Sequence, residues 1–187
     1  MHKRSFWLEF LGIFWLGIFG LGMLWPIGAL ATPSIVLKGV TGQEHNVNEF
    51  IGHGKWTVVT FWAHDCPICK RDIDQMVFLH DEHRKKDATV LGISIDGYAN
   101  RRAALDFIND QALNFPNLIT DHAGVAQFGG GELVGTPTYY VYNPQGELKA
   151  TKIGAATQDQ IEALMVDAPQ PPLRKNTAVS SMSQKLR

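Results

Sequence analysis

The sequence predicts an α/β fold in which a central mixed sheet is flanked by helices and preceded by an N-terminal hydrophobic anchor. β-Rich apolar runs alternate with segments of helical periodicity between residues 34 and 167. This alternation favours crossover connections, with parallel pairing in the first half of the sheet. A four-residue turn at residues 143–146 joins the last two strands, so these two must be antiparallel.

Each element follows from its residue types. Strands are expected where β-branched and aromatic residues cluster, and helices where apolar residues recur at helical spacing between charges. The predicted strands are 34–38, 56–63, 89–95, 114–119, 138–142 and 147–153. The predicted helices are 69–86, 100–112, 124–128 and 158–166, and Thr157 is a suitable N-cap for the last. Residues 46–51 fit either a strand or a helical turn.

Size and composition fit one domain with extra segments. The chain has 187 residues, of which 45% are apolar and 19% charged. A net charge of -1 gives no reason to expect a nucleic-acid partner. Two cysteines are too few for a disulfide-rich secreted scaffold, but they leave one pair that can change its oxidation state.

Residues 1–31 are predicted to be a signal-anchor or a signal peptide. Residues 10–30 carry no charge, and these 21 residues can span a bilayer as a helix. Basic residues precede the run, which predicts a cytoplasmic N-terminus and an exported domain. The run is longer than a typical signal-peptide core, which favours an uncleaved anchor, but Ala29-Leu30-Ala31 also fits a cleavage site after Ala31.

The other end of the chain is expected to be a disordered tail. From residue 168 to residue 187 the composition shifts to proline and then to Lys, Arg, Ser, Asn and Gln, without apolar periodicity. The folded domain is therefore expected to cover residues 34–167.

The motif Cys66-Pro67-Ile68-Cys69 contains the only two cysteines of the chain. It follows an apolar β run and precedes a helix, which is typical of a dithiol that cycles between thiol and disulfide. Zinc needs four ligands, and the chain has no second cysteine pair. A purely structural disulfide would close a very short loop and stabilise the fold weakly.

The position of the motif suggests different roles for its two sulfurs. At the start of a helix, unpaired N–H groups and the helix dipole favour a Cys66 thiolate. Pro67 suits the first helical turn because it lacks the N–H that would have no partner there. Cys69, one turn further, is expected to be more buried and to resolve the mixed disulfide formed by Cys66. His64 and Asp65 would act on that thiolate in opposite directions, unless both are simply solvated.

Two further positions are candidates on weaker grounds. Asp72 lies three residues after Cys69 on the predicted helix and could accept its proton, although a solvated helix face is the simpler interpretation. Pro137 directly precedes a strand, where a cis bond can serve a tight geometry, although a trans proline is the commoner case.

Three segments together resemble the thioredoxin superfamily: Phe61-Trp62-Ala63, the Cys66–Cys69 motif and Gly135-Thr136-Pro137-Thr138. The N-terminal anchor and the long insertion near residues 100–118 narrow the resemblance to the extracytoplasmic TlpA/ResA/DsbE-like thiol–disulfide oxidoreductases. The resemblance implies a thioredoxin-like fold, with Cys66 as the nucleophile and Cys69 as the resolving thiol. It also implies active-site support from the residues of these segments and their surroundings: Trp62, Pro67, Asp72, Thr136 and Pro137.

More specifically, the resemblance implies a cis peptide before Pro137 and a Thr136 backbone that pairs with substrate. Asp72 falls where ResA-like proteins carry a glutamate near the second thiol. The chain departs from the family pattern in three ways. Asp65 replaces the usual tryptophan, Pro67 follows the first cysteine instead of preceding the second, and Thr60 replaces the buried carboxylate of cytoplasmic thioredoxins.

The expected function is therefore that of an extracytoplasmic disulfide reductase, anchored in the inner membrane with its domain in the periplasm. Its implied partners are protein thiols and disulfides, apocytochrome c among them, and a membrane electron donor of DsbD/CcdA type. No cofactor or metal is required. The alternatives are a DsbA- or MauD-like oxidase or maturation factor, a peroxidase, and a copper-binding module. The histidines available to such a module are His64, His80, His83 and His122.

Overall fold

The computed structural model describes residues 34–166, which include one seven-stranded sheet. The strands are β1 (Val36–Gly39), β2 (Glu44–Asn46), β3 (Trp56–Trp62), β4 (Ala88–Ser94), β5 (Asn117–Ile119), β6 (Thr138–Tyr142) and β7 (Leu148–Ile153). The α-helices are α1 (Pro67–Asp72), α2 (Asp74–His83), α3 (Arg101–Asp110) and α4 (Gln158–Glu162). Short 3-10 helices cover Val47–Glu49, Tyr98–Asn100 and Ala123–Phe128.

The predicted anchor at 1–31 and the predicted tail at 168–187 lie outside the described residues. Among the described helices, none has both the length and the apolar character needed to cross a bilayer.

The sheet is mixed, as predicted, and its strand order is β2-β1-β5-β4-β3-β6-β7. The three strands β5, β4 and β3 are parallel to one another. The strand β6 pairs antiparallel with both β3 and β7, so the last two strands have the orientation that their short turn required.

The expectation of parallel pairing in the first half of the sheet is wrong for β1. This strand is antiparallel to both of its neighbours, β2 and β5. A tight turn at residues 39–43 folds β1 back onto β2, with Gly42 at a φ of 96° and its N–H bonded to the Gly39 carbonyl. Of the two possibilities for residues 46–51, the helical turn is the one found, at Val47–Glu49, and the second strand lies earlier, at Glu44–Asn46.

The helices differ from their predicted bounds at the ends. The predicted helix 69–86 begins earlier, at Pro67, and is two helices, α1 and α2, separated at Ile73. There the Met76 N–H bonds to the Ile73 carbonyl in a tighter, 3-10-type turn. The helix α4 is shorter than predicted, but it has the expected cap, because the Thr157 hydroxyl accepts the Gln160 N–H at 3.3 Å.

Two hydrophobic layers cover the sheet, and alternation along β3 divides its side chains between them. Val58 and Trp62 face the layer formed with helices α1 to α4. Val59 and Phe61 face the layer formed with the N-terminal hairpin and the segment around Phe128. Both cysteines belong to the first layer, so the motif packs against the side chains of the sheet and the helices.

Candidate active site

A turn connects the end of β3 to α1 and carries the first cysteine. The Cys66 N–H bonds to the Ala63 carbonyl at 3.2 Å, which closes the turn. Cys66 is the N-cap of α1, with extended backbone angles, and its sulfur accepts the Cys69 N–H at 3.1 Å. Pro67 occupies the first turn of the helix, where no hydrogen-bond donor is lost. The Cys66 sulfur therefore lies at the positive end of α1.

Cys66 and Cys69 are joined in a disulfide, with their α-carbons 5.3 Å apart. The two residues differ in accessibility: Cys66 is 8% exposed and Cys69 is 1% exposed. Another molecule therefore reaches Cys66 more readily than Cys69.

The loop before β6 lies directly against this disulfide. The Thr136–Pro137 peptide is cis, as the family resemblance implied. The Thr136 carbonyl oxygen is 3.4 Å from the Cys66 sulfur. The Thr138 hydroxyl donates to the Gly135 carbonyl at 2.6 Å, and the Gly154 N–H donates to the Pro137 carbonyl at 2.8 Å. These bonds hold the loop that places the Thr136 carbonyl beside the Cys66 sulfur.

Trp62 lies beneath the site. Its side chain is fully buried in the same layer as both cysteines, and its ring stacks on Phe107 with a centroid separation of 4.5 Å. The indole N–H donates to the Asn117 side-chain oxygen at 3.2 Å. Trp62 thus connects the end of β3 to α3 and β5, and it supports the turn that carries Cys66 from the inside.

Asp72 is held by its neighbour Arg71. The guanidinium donates two hydrogen bonds to the carboxylate, at 2.6 and 2.8 Å, and these bonds lower the pKa of Asp72 below its usual range. Both residues line an open groove together with Gln75 and Ala156. Among the described residues, no hydrogen bond joins Asp72 to Cys69, and its part as a proton acceptor stays a prediction.

A hydrogen-bonded network that the sequence did not indicate lies beside the Cys66 turn. The Asp96 carboxylate accepts a bond from His64 Nδ1 at 2.7 Å and from the Ser94 hydroxyl at 2.6 Å. It also accepts the His64 backbone N–H at 3.2 Å. Trp62 and Ser94 are partners in the parallel register, so residues two positions beyond each strand meet at the same edge. Without that register, nothing in the sequence connects Asp96 to the motif.

Of the other histidines named for a copper-binding module, His80 and His83 are hydrogen-bonded to residues other than the cysteines. His80 is buried, and its Nδ1 accepts the Val90 N–H at 3.2 Å. His83 lies between two carboxylates, Asp87 at 2.8 Å and Glu162 at 3.1 Å. His122 is exposed in the loop after β5.

Two exposed apolar side chains lie in the two segments that form the site, the Cys66–Cys69 motif and the loop before β6. Ile68, between the cysteines, is 37% exposed. Val134 is 79% exposed and lies two residues before Thr136, whose carbonyl contacts the Cys66 sulfur. Exposed apolar groups of this size beside a reactive centre are suited to contact with another protein.

Comparison with known proteins gives consistent matches. Residues 29–151 match the AhpC/TSA family. The thiol-disulfide oxidoreductase ResA of Oceanobacillus iheyensis is 31% identical over 144 residues, which cover 75% of this chain and 72% of that protein. The sporulation thiol-disulfide oxidoreductase A of Bacillus subtilis is 26% identical over 136 residues, covering 71% and 78%.

The fold is also found among solved structures. A secreted thiol-disulfide isomerase from Corynebacterium glutamicum superposes with a TM-score of 0.64 at 24% identity, covering 71% of this chain and 81% of that chain. The thioredoxin-like fold expected from the sequence is confirmed. The chain belongs to the AhpC/TSA family of thioredoxin-like proteins, within its group of ResA-related thiol–disulfide oxidoreductases.

Proposed function

We propose that this protein is an extracytoplasmic reductase of protein disulfides that works through Cys66 and Cys69. The observation that carries the proposal is the position of the Cys66 sulfur. It belongs to the more exposed residue of the pair, it caps α1, and it lies 3.4 Å from the Thr136 carbonyl. A substrate sulfur can approach the Cys66 sulfur beside the Thr136 carbonyl, and Cys69 lies one helical turn further inside.

The reaction is two successive thiol–disulfide exchanges. In the dithiol form, the Cys66 thiolate attacks a substrate disulfide, a mixed disulfide forms and one substrate thiolate leaves. The Cys69 thiolate then attacks Cys66 in the mixed disulfide, which releases the second substrate thiolate and restores the Cys66–Cys69 disulfide. Two electrons pass from the dithiol to the substrate, and no cofactor takes part.

The substrates we propose are polypeptides. The Thr136 backbone next to the sulfur can pair with an extended chain, as main-chain hydrogen bonds do in strand addition. The exposed side chains of Ile68 and Val134 offer apolar contact to such a chain. Apocytochrome c, a family substrate, fits these requirements because its haem-binding segment carries two cysteines close in sequence.

We place the domain in the periplasm, held to the inner membrane by residues 1–31 and reduced by a membrane donor of DsbD/CcdA type. The charge-free run at residues 10–30, preceded by basic residues, supports this location. A membrane-impermeant maleimide added to intact spheroplasts tests it. Labelling of the reduced Cys66/Cys69 pair without lysis is expected, whereas labelling only after lysis would place the domain in the cytoplasm.

The direction of electron flow is tested by the reduction potential. Equilibration of the full chain with glutathione buffers should give a potential close to that of thioredoxin, about -270 mV. Pro67 directly after Cys66, the order found in DsbA- and MauD-like proteins, supports an oxidase as the second candidate. A potential near -120 mV would favour that oxidase and contradict the reductase.

A further inference from the structure

We propose that His64 accepts the Cys66 proton during disulfide exchange and that Asp96 is the residue that positions it. The inference rests on the proposed function of the Cys66/Cys69 pair and adds a proton-transfer group to that site. Its basis is the buried carboxylate of Asp96, which holds the imidazole at the turn that carries the nucleophile.

The hydrogen bonds determine which ring nitrogen is available. An ionised carboxylate only accepts hydrogen bonds, so the 2.7 Å contact requires a proton on His64 Nδ1. In the neutral ring, Nε2 is then the nitrogen with a free lone pair. Within the described part of the chain, Nε2 has no hydrogen-bond partner, and the side chain is 38% exposed. This nitrogen is therefore free to bind a water or a proton.

Asp96 is a firm support for the imidazole. Its side chain is only 5% exposed, and it accepts the Ser94 hydroxyl at 2.6 Å in addition to the His64 ring and backbone. Its own carbonyl accepts the Asn100 side-chain amide at 2.8 Å. A nucleophile, a base and a third group that orients the base form the arrangement that activates weak nucleophiles in many enzymes.

His64 and Cys66 belong to the same tight turn, so the proposed transfer runs through one bridging water. His64 precedes Cys66 by two positions, so their α-carbons are at most about 7 Å apart. Both residues lie in the turn that the hydrogen bond from Cys66 to Ala63 closes. The proton moves from the Cys66 thiol through a bridging water to His64 Nε2. The resulting thiolate attacks the substrate disulfide, and the imidazolium then returns the proton to the departing substrate thiolate, so charge and atoms balance.

The fraction of Cys66 that a base can convert from thiol to thiolate limits how much His64 can raise the reaction rate. A free cysteine with a pKa of about 8.5 is roughly 3% thiolate at pH 7, so a base can accelerate attack at most about thirtyfold there. The benefit disappears above about pH 9, where the thiol ionises without help. Among the described residues, the carboxylates grouped with His64 are Asp96, from the loop after β4, and Asp65, from its own loop.

The test follows the rate at which the reduced full chain reacts with glutathione disulfide between pH 6 and pH 9. For His64→Gln we expect a rate about tenfold below the wild type at pH 7 and equal to it at pH 9. Asp96→Asn should give the same profile, because the imidazole is no longer held with its proton on Nδ1. If Asp96→Asn does not fold, as thermal unfolding would reveal, His64→Gln alone decides the question.

Two matched controls accompany these variants. His122→Gln removes an exposed histidine elsewhere, and Asp121→Asn removes a carboxylate that accepts a backbone N–H after β5, as Asp96 does after β4. Both should keep the wild-type profile. A His64→Gln rate equal to the wild type at pH 7, or lowered equally at pH 7 and pH 9, would overturn the inference. A wild-type chain that reacts at no pH would instead overturn the proposed function.

Discussion

The hydroxyl of Thr60 is buried, and among the described residues it is the side-chain polar atom left without a hydrogen-bond partner. Thr60 lies in the middle of β3, paired with Tyr139 on one side and Gly92 on the other. Alternation along the strand places its side chain between Val58 and Trp62, on the face that carries the cysteines. Thr60 stands where cytoplasmic thioredoxins carry a buried carboxylate. In this chain the position has no charge, and its hydroxyl makes no hydrogen bond to the described residues.

Thr60→Val should therefore stabilise the protein. The change keeps the shape of the side chain and removes an unsatisfied buried group, which costs about 1 to 3 kcal/mol in proteins. We expect urea unfolding to give a free energy about 1 kcal/mol higher, with an unchanged exchange rate toward glutathione disulfide. A loss of stability would mean that the hydroxyl has a hydrogen-bond partner after all.

His80 makes the fold sensitive to acid. Burial lowers the pKa of His80, with a smaller contribution from the charge of Arg84. Its Nδ1 accepts the Val90 N–H, which has no strand partner because β5 pairs only with residues 92–94 of β4. The neutral ring is favoured in the folded state, so its stabilising contribution is complete above the ordinary histidine pKa of about 6.5 and is lost as the pH falls.

His80→Leu is expected to lower the unfolding free energy at pH 7 by about 1 to 3 kcal/mol, because the Val90 N–H is left unpaired. The difference between wild type and variant should shrink from pH 7 to pH 5. Urea titrations at several pH values measure it, with His53→Gln as an exposed control. A difference that stays constant or grows toward pH 5 would contradict a buried neutral His80.

Val134 tests whether the exposed apolar residues serve protein substrates. Val134→Ser removes apolar contact area without touching the sulfurs or the Thr136 carbonyl. We expect reduction of a protein disulfide, such as that of insulin, to slow several-fold, while the rate with glutathione disulfide is unchanged. The exposed residue Val36, on β1, provides the matched control Val36→Ser. Equal rates with insulin for both variants and the wild type would exclude this contact.

At the scale of elements, His83 joins α2 to α4. Its ring contacts Asp87 after the end of α2 and Glu162 in the last turn of α4. Gln158 of α4 reinforces the contact with a bond to Glu82 at 3.0 Å. The hydrogen bond with Asp87 raises the pKa of His83, and Glu162 adds to the effect. The charged ring thus helps to hold the two helices together.

The pH dependence of this contact has the opposite sign to that of His80. A raised pKa in the folded state gives stability that is complete below about pH 6.5 and is lost as the pH rises past the folded value. His83→Gln should therefore cost more at pH 6 than at pH 8, by less than about 1 kcal/mol because the carboxylates are partly exposed. Calorimetric unfolding at the two pH values measures the difference. A larger loss at pH 8 would contradict the charged contact.

The elements themselves could be predicted where one physical signal dominates. The strands β3, β4 and β6 are runs of β-branched and aromatic residues, and the structure has all three near the predicted bounds. The separation of α1 from α2 at Ile73 could not be predicted, because that position carries neither proline nor glycine. The helix α4 is shorter than its apolar pattern, since helix ends depend on tertiary contacts that periodicity does not contain.

At the scale of the whole molecule, features encoded in a short stretch of sequence could be predicted, and features that depend on contacts between distant segments could not. The Cys66–Cys69 motif and the proline before β6 are recognisable because residue type and spacing carry the chemistry. The orientation of β1 and the meeting of His64 with Asp96 depend on how distant strands pair. No tight turn joins β1 to β5 or β3 to β4, so the local turn signal that sets the register of a hairpin is missing there. The dithiol was therefore predictable, whereas its neighbouring proton-transfer group was not.

The most direct test compares two single variants of the full chain, Cys69→Ser and Cys66→Ser, with a peptide that contains one disulfide. Intact-mass spectrometry should detect a mixed disulfide that accumulates in Cys69→Ser, because Cys66, the more accessible of the two cysteines, attacks and no second thiol resolves the product. In Cys66→Ser, the buried Cys69 should form the adduct at least about tenfold more slowly. Equal adduct formation in both variants, or in neither, would contradict Cys66 as the nucleophile.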